Sequence, residues 1–92
     1  MKLNSSDIEA LRILQEECAE VIQVVSKGCR FGFDVPYNGH TNRQLLTREV
    51  GDVLCLVNIL IENKVIDLID VRVAEDQKRE KLRVWSTIFN ND

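Results

Sequence analysis

The stretch ILQEECAEVIQV, residues 13–24, decides how this chain folds. Ile13, Glu17, Glu20 and Val24 recur at steps of four, three and four, the spacing of a single helix face. Ile8, Leu11, Leu14, Cys18, Val21, Ile22 and Val25 supply further apolar surface on the same predicted helix. Two carboxylates therefore sit inside an aliphatic stripe, where an ordinary solvated helix face would have none.

A second stretch repeats the arrangement. Glu49-Val50-Gly51-Asp52 reads E-x-x-D, and Leu45, Glu49, Asp52, Leu56 and Ile59 share one helix face. Leu46, Val50, Val53, Leu54, Val57, Leu60 and Ile61 complete the packing surface of this helix.

Punctuation residues set the boundaries. Ser6 and Glu9 form a capping-box pattern that predicts a helix from about Asp7, and Gly28 is a natural stop. Gly32, Pro36 and Gly39 mark residues 28–41 as a long loop, of the kind that is usually functional or disordered. Thr41 and Gln44 repeat the capping-box pattern and open the second helix. Asn63-Lys64 is a break, and a third helix runs from Ile66 or Asp67 to near Trp85 with a weaker apolar face. No repeat, low-complexity tract or linker divides the chain, so residues 1–92 read as one all-α domain: a small helical bundle made of an antiparallel hairpin and a C-terminal helix.

The acids fit one shared site. Glu20 and Glu17 lie eight and eleven positions before Gly28, and Glu49 and Asp52 lie eight and eleven after Thr41. In an antiparallel hairpin these pairs face each other. Four carboxylates on inward stripes repel and are costly to desolvate, so a counter-charge is required. A hard divalent cation supplies it most simply, Mg²⁺ above all, with Mn²⁺ as a substitute. One E-x-x-E alone would read as surface charge; two matched pairs on apolar stripes read as a site.

With those motifs in place, the chain from Leu11 to about Trp85 resembles the all-α nucleoside triphosphate pyrophosphohydrolases. These include the MazG-like proteins, the dimeric dUTPases and the phosphoribosyl-ATP pyrophosphohydrolases. The best fit is the short, single-domain MazG-like type. The resemblance implies magnesium-dependent cleavage between the α and β phosphates of a nucleoside triphosphate, a helical oligomer, and a role in clearing surplus or non-standard nucleotides. It assigns metal binding to Glu17, Glu20, Glu49 and Asp52. It also places basic or amide side chains on the later helix to hold phosphates. Lys78 and Lys81, three positions apart, are the candidates here, although the chain lacks a clear counterpart of the family's later asparagine-containing motif.

Other residues carry two readings each. Glu16 points about 100° away from Glu17; it is a candidate catalytic base, or a ligand of a second metal, or a solvent-facing acid. Lys27, Arg30 and Phe31 are candidates for substrate binding, against the alternative that Phe31 and Phe33 merely cover the hairpin's open end. Lys78 and Lys81 equally suit a solvated helix terminus, where positive charge complements the macrodipole. His40 is the only histidine, which argues against a zinc site or a di-iron bundle.

Composition bounds the rest. The chain has 92 residues, 45% of them hydrophobic, and a formal net charge of −3. That balance gives no electrostatic reason to bind nucleic acid or an anionic membrane. No apolar run is long enough to span a bilayer, and residues 1–7 lack the apolar stretch of a signal peptide. Three cysteines without C-x-x-C spacing suit reduced thiols in the cytoplasm. A chain this small gains stability by oligomerising, so a homodimer or homotetramer is expected. The alternatives are a phosphoribosyl-ATP pyrophosphohydrolase and, from another class, a non-enzymatic helical interaction module.

Overall fold

Asn4, and not Ser6, opens the first helix. Its side chain accepts a hydrogen bond from the Asp7 amide at 2.9 Å, while the Asp7 carboxylate accepts one from the Asn4 amide at 3.1 Å. This reciprocal box satisfies two donors that a helix start would otherwise leave orphaned, and Asp7 is almost fully buried in making it. The computed structural model describes residues 2–90. It contains three helices: α1 (Ser5–Phe31), α2 (Asn42–Glu62) and α3 (Leu68–Trp85). Among the described residues there is no strand, and the fold is all-α as expected.

Gly28 does not stop α1. The helix runs one turn further, to Phe31, and Gly32 ends it at φ 98°, with its amide donating to the Gly28 carbonyl at 2.8 Å. Gly28 is buried, and the space beside its Cα holds the ring of Phe33. It is a packing glycine, whereas the positive-φ glycine that breaks the helix is Gly32. The loop therefore spans 32–41.

The second helix begins as the sequence predicts. The Thr41 side chain accepts from the Gln44 amide at 3.1 Å, and Gln44 Oε1 accepts from the Thr41 amide at 2.9 Å. At its far end Asn63 caps α2, and Lys64 takes φ 60° in the turn to α3. Asp67 then caps α3, accepting from the Asp70 amide at 3.0 Å.

α1 and α2 pack along each other as an antiparallel pair, and the core lies between them. Their loop ends are tied by the Asn42 side-chain amide, which donates to the Gly32 carbonyl at 2.9 Å, and by the Arg43 amide, which donates to the Phe33 carbonyl at 2.9 Å. Arg43 also holds Asp34 through two hydrogen bonds, at 2.6 and 2.8 Å. α3 makes no comparable packing with either helix.

This arrangement leaves the core thin. Ala10, Val24 and Leu60 are the buried apolar residues among those described. The radius of gyration is 16.3 Å, against ~12 Å for a close-packed domain of this length. The accessible surface is 7540 Å², roughly 2,000 Å² above the value for a folded monomer of this mass.

Candidate metal centre

The antiparallel register brings Glu17 and Glu20 of α1 against Glu49 of α2. One carboxylate oxygen from each of the three lies within 4.8 Å of the others. Glu17 and Glu49 are half-buried, and Glu20 is exposed. The Oε2 atoms of Glu17 and Glu49 are out of reach of solvent and have no hydrogen-bond partner. Buried polar atoms are nearly always paired, so two orphaned oxygens at one point call for a proton or a cation between them.

The electrostatics agree with the geometry. The Glu17 carboxyl is raised above its ordinary range, first by burial and then by the charges of Glu20 and Asp52. Glu49 is raised by burial, by its close approach to Glu20, and by Asp52 and Glu17. The charges of Glu20 and Asp52 make both Glu17 and Glu49 harder to ionise, while the approach of Glu49 to Glu17 partly offsets this at Glu17. A divalent cation would reverse that relation, since three oxygens at this spacing suit a hard ion with oxygen ligands.

Asp52 stands outside the tight group. It is exposed, one turn beyond Glu49, and its charge still reaches both Glu17 and Glu49. The equal spacing from the loop expected for the two pairs is broken, because α1 continues past Gly28. Glu49 is instead met by both acids of α1. Glu16 is exposed on α1 and adds a small unfavourable charge at Glu17.

The remaining candidates divide between two places. Lys27 and Phe31 line a pocket of about 500 Å³ at the loop end of the hairpin, together with residues of the loop and the start of α2. Arg30 lies outside it, with its Nε donating to the Ser26 carbonyl at 3.4 Å and its guanidinium 5.1 Å from the centre of the Phe31 ring. Phe33 packs against Gly28, so it covers the hairpin end while Phe31 stays exposed. Lys78 and Lys81 are exposed on α3, and neither contributes to the charge felt by Glu17 or Glu49. Within one chain they are not brought to the acids.

Tyr37, His40 and Asn42 are pocket residues to which the sequence reading gives no role in the site. A signal for the loop's shape is present in the dipeptide Asn38-Gly39. Both residues take positive φ, 50° and 81°, and the turn closes with Tyr37 and His40 exchanging backbone hydrogen bonds at 2.7 and 3.0 Å. The turn puts Tyr37 and His40 side by side at the pocket.

Fold and site define a class of protein: a small all-α domain in which two antiparallel helices gather carboxylates at one point. Residues 6–82 match the family model described as the MazG nucleotide pyrophosphohydrolase domain, and the chain belongs to that family. Comparison with curated proteins and with solved structures returns no match. The family acts on nucleotides as a pyrophosphohydrolase and generally uses divalent metals. No helix among the described residues is long and apolar enough to cross a membrane.

Proposed function

We propose that the protein is a Mg²⁺-dependent nucleoside triphosphate pyrophosphohydrolase, converting a (d)NTP to the (d)NMP and pyrophosphate. The observation that carries this reading is the pair of buried, unpartnered oxygens on Glu17 and Glu49, set against Glu20. In a chain of this family, such a cluster would suit a divalent cation, whose charge would offset that of the carboxylates and of a bound phosphate.

Glu17, Glu20 and Glu49 would hold the ion, with Asp52 adjoining. When bound, Mg²⁺ or Mn²⁺ supplies positive charge to the phosphate oxygens and lowers the pKa of an attacking water. The chain's own task is positioning. The helical hairpin fixes the carboxylates, so that little reorganisation is needed as charge develops. Glu16, exposed on the next face of α1, is the candidate acceptor for the water's proton.

Assembly completes the reading. The surplus surface and the lone α3 suit a homodimer or homotetramer, in which apolar side chains such as Leu54 and Trp85, 54% and 84% exposed in one chain, become covered. Lys78 and Lys81 of one subunit would then reach the phosphates held by another. The cellular role in this reading is removal of surplus or non-standard nucleotides in the cytoplasm.

The test is a screen of ribo- and deoxyribonucleoside triphosphates with Mg²⁺, scoring pyrophosphate release against an EDTA control. Hydrolysis of at least one triphosphate to monophosphate and pyrophosphate is expected. No turnover with any nucleotide, or release of orthophosphate as the first product, would overturn the reading in favour of an interaction module or another hydrolase.

A further inference from the structure

Asn38-Gly39 forms the tip of the turn in the loop between α1 and α2, and no other asparagine of the chain is followed by glycine. That pair carries a chemistry of its own. The backbone nitrogen after an asparagine can attack the side-chain amide carbon and close a succinimide ring. In a folded protein the attack is blocked by a side chain on the following residue, by a hydrogen bond that occupies the attacking amide, or by one that fixes the asparagine side chain.

All of these blocks are absent at Asn38. Gly39 has no side chain, and nothing lies within 4 Å of the place where one would stand. Neither the Gly39 amide nor the Asn38 side chain has a hydrogen-bond partner among the described residues, because the turn closes through Tyr37 and His40 on either side. Both residues are exposed. Other asparagines are held. The Asn4 side-chain oxygen accepts from the Asp7 amide and the Ser6 hydroxyl, at 2.9 and 3.0 Å. After Asn42, the Arg43 amide is committed to the Phe33 carbonyl at 2.9 Å, and after Asn63 the Lys64 amide is committed to the Ile61 carbonyl at 3.0 Å.

We propose that Asn38 is a site of spontaneous deamidation, and that its isoaspartyl product opens the turn. In the first step the Gly39 nitrogen bonds to Cγ of Asn38. The Cγ–Nδ2 bond breaks, and the Gly39 amide proton leaves with that nitrogen as ammonia. Water then opens the ring at one of its two carbonyls. Attack at Cγ breaks the new bond and leaves an aspartate in place of Asn38. Attack at the main-chain carbonyl breaks the original peptide bond and leaves an isoaspartyl link, in which the chain runs through the side-chain carbon. Both products carry a carboxylate where the amide had no charge.

The two products differ in what they do to the loop. Aspartate tolerates positive φ as asparagine does, so the turn persists. The isoaspartyl link adds a methylene to the backbone between Tyr37 and His40. A two-residue turn fixes the spacing of the residues that flank it, and the longer link cannot keep both of their backbone hydrogen bonds, at 2.7 and 3.0 Å. Tyr37 and His40 line the pocket at the loop end, so the pocket changes shape with the turn. The inference stands whether or not the chain hydrolyses nucleotides.

The test incubates the full chain at mildly alkaline pH, folded and in urea, and follows its peptides by mass spectrometry and by labelling with an isoaspartyl methyltransferase. Asn38 should convert at least about tenfold faster than any other asparagine. Its rate in the folded chain should lie within about tenfold of the rate in urea, as for an exposed loop of low local stability. In the isoaspartyl fraction the Tyr37 and His40 amides should lose their protection from hydrogen exchange, whereas freshly prepared Asn38→Asp should keep it. If Asn38 converts no faster than other asparagines, or if folding slows it by more than about tenfold, the turn protects the site and the proposal is overturned. Unchanged protection of the two amides in the isoaspartyl fraction would overturn the opening of the turn.

Discussion

The ring of Phe33 occupies the space that a side chain on Gly28 would need. The contact closes the loop end of the hairpin, and it makes the sign of a substitution diagnostic. In an ordinary exposed helix interior, Gly→Ala stabilises by about 1 kcal/mol. At Gly28 the added methyl collides with the Phe33 ring, and overpacking of this kind costs ~1–3 kcal/mol. Gly28→Ala should therefore lower the Tm, and a second change, Phe33→Leu, should recover part of the loss. A raised Tm for Gly28→Ala alone would show that Phe33 does not hold this place.

Glu49→Gln keeps the shape of the side chain and removes its charge. It should raise the Tm in EDTA, because repulsion with Glu17 and Glu20 is relieved, and remove the stabilisation that Mg²⁺ gives the wild type. Pyrophosphate release should fall by more than the ~10–100-fold typical of losing a partner behind a metal ligand. Full activity in Glu49→Gln would strike Glu49 from the required acids.

The pH dependence of the metal-free protein follows from the raised carboxyls of Glu17 and Glu49. Their ordinary value is 4.5, and the folded values are higher. Between the two, the native state binds more protons than the unfolded state, so stability falls as pH rises. Their contribution is fully present below 4.5 and is lost as pH climbs through the folded values. Thermal melts in EDTA across this window should show a steeper decline for wild type than for Glu17→Gln/Glu49→Gln. With Mg²⁺ the ordering reverses, because ionised carboxylates bind the cation and protons compete for them. Equal slopes for the two proteins in EDTA would refute the assignment of the buried acids.

Assembly is testable at one position. Leu54 lies on α2 with about half its surface in water in the single chain. Sedimentation at micromolar concentration should show a dimer or tetramer, and Leu54→Asp should dissociate or unfold it. Each aliphatic side chain covered by a partner contributes ~1.5–3 kcal/mol. A well-folded, active wild-type monomer would refute the assembly and the sharing of Lys78 and Lys81 between subunits.

Much of this protein was determined by its sequence alone. Helical periodicity puts Glu17 and Glu20 on one face and Glu49 on another, whatever the loop does, because 3.6 residues per turn is a local property of the backbone. The Thr41–Gln44 cap and the Asn63-Lys64 break are likewise local hydrogen-bond and dihedral effects. What tertiary structure alone decided is every feature that depends on a neighbour distant in sequence. Gly28 reads as a stop until Phe33 is seen packing on it, and the true stop is Gly32, five residues after Lys27. The hairpin register, fixed by Asn42 and Arg43 bonding back to Gly32 and Phe33, decides that Glu49 meets both α1 acids while Asp52 stays at the edge. The pocket depends on a turn that brings Tyr37 and His40 between two helix ends. Periodicity reports which way a side chain faces; only packing reports what it faces.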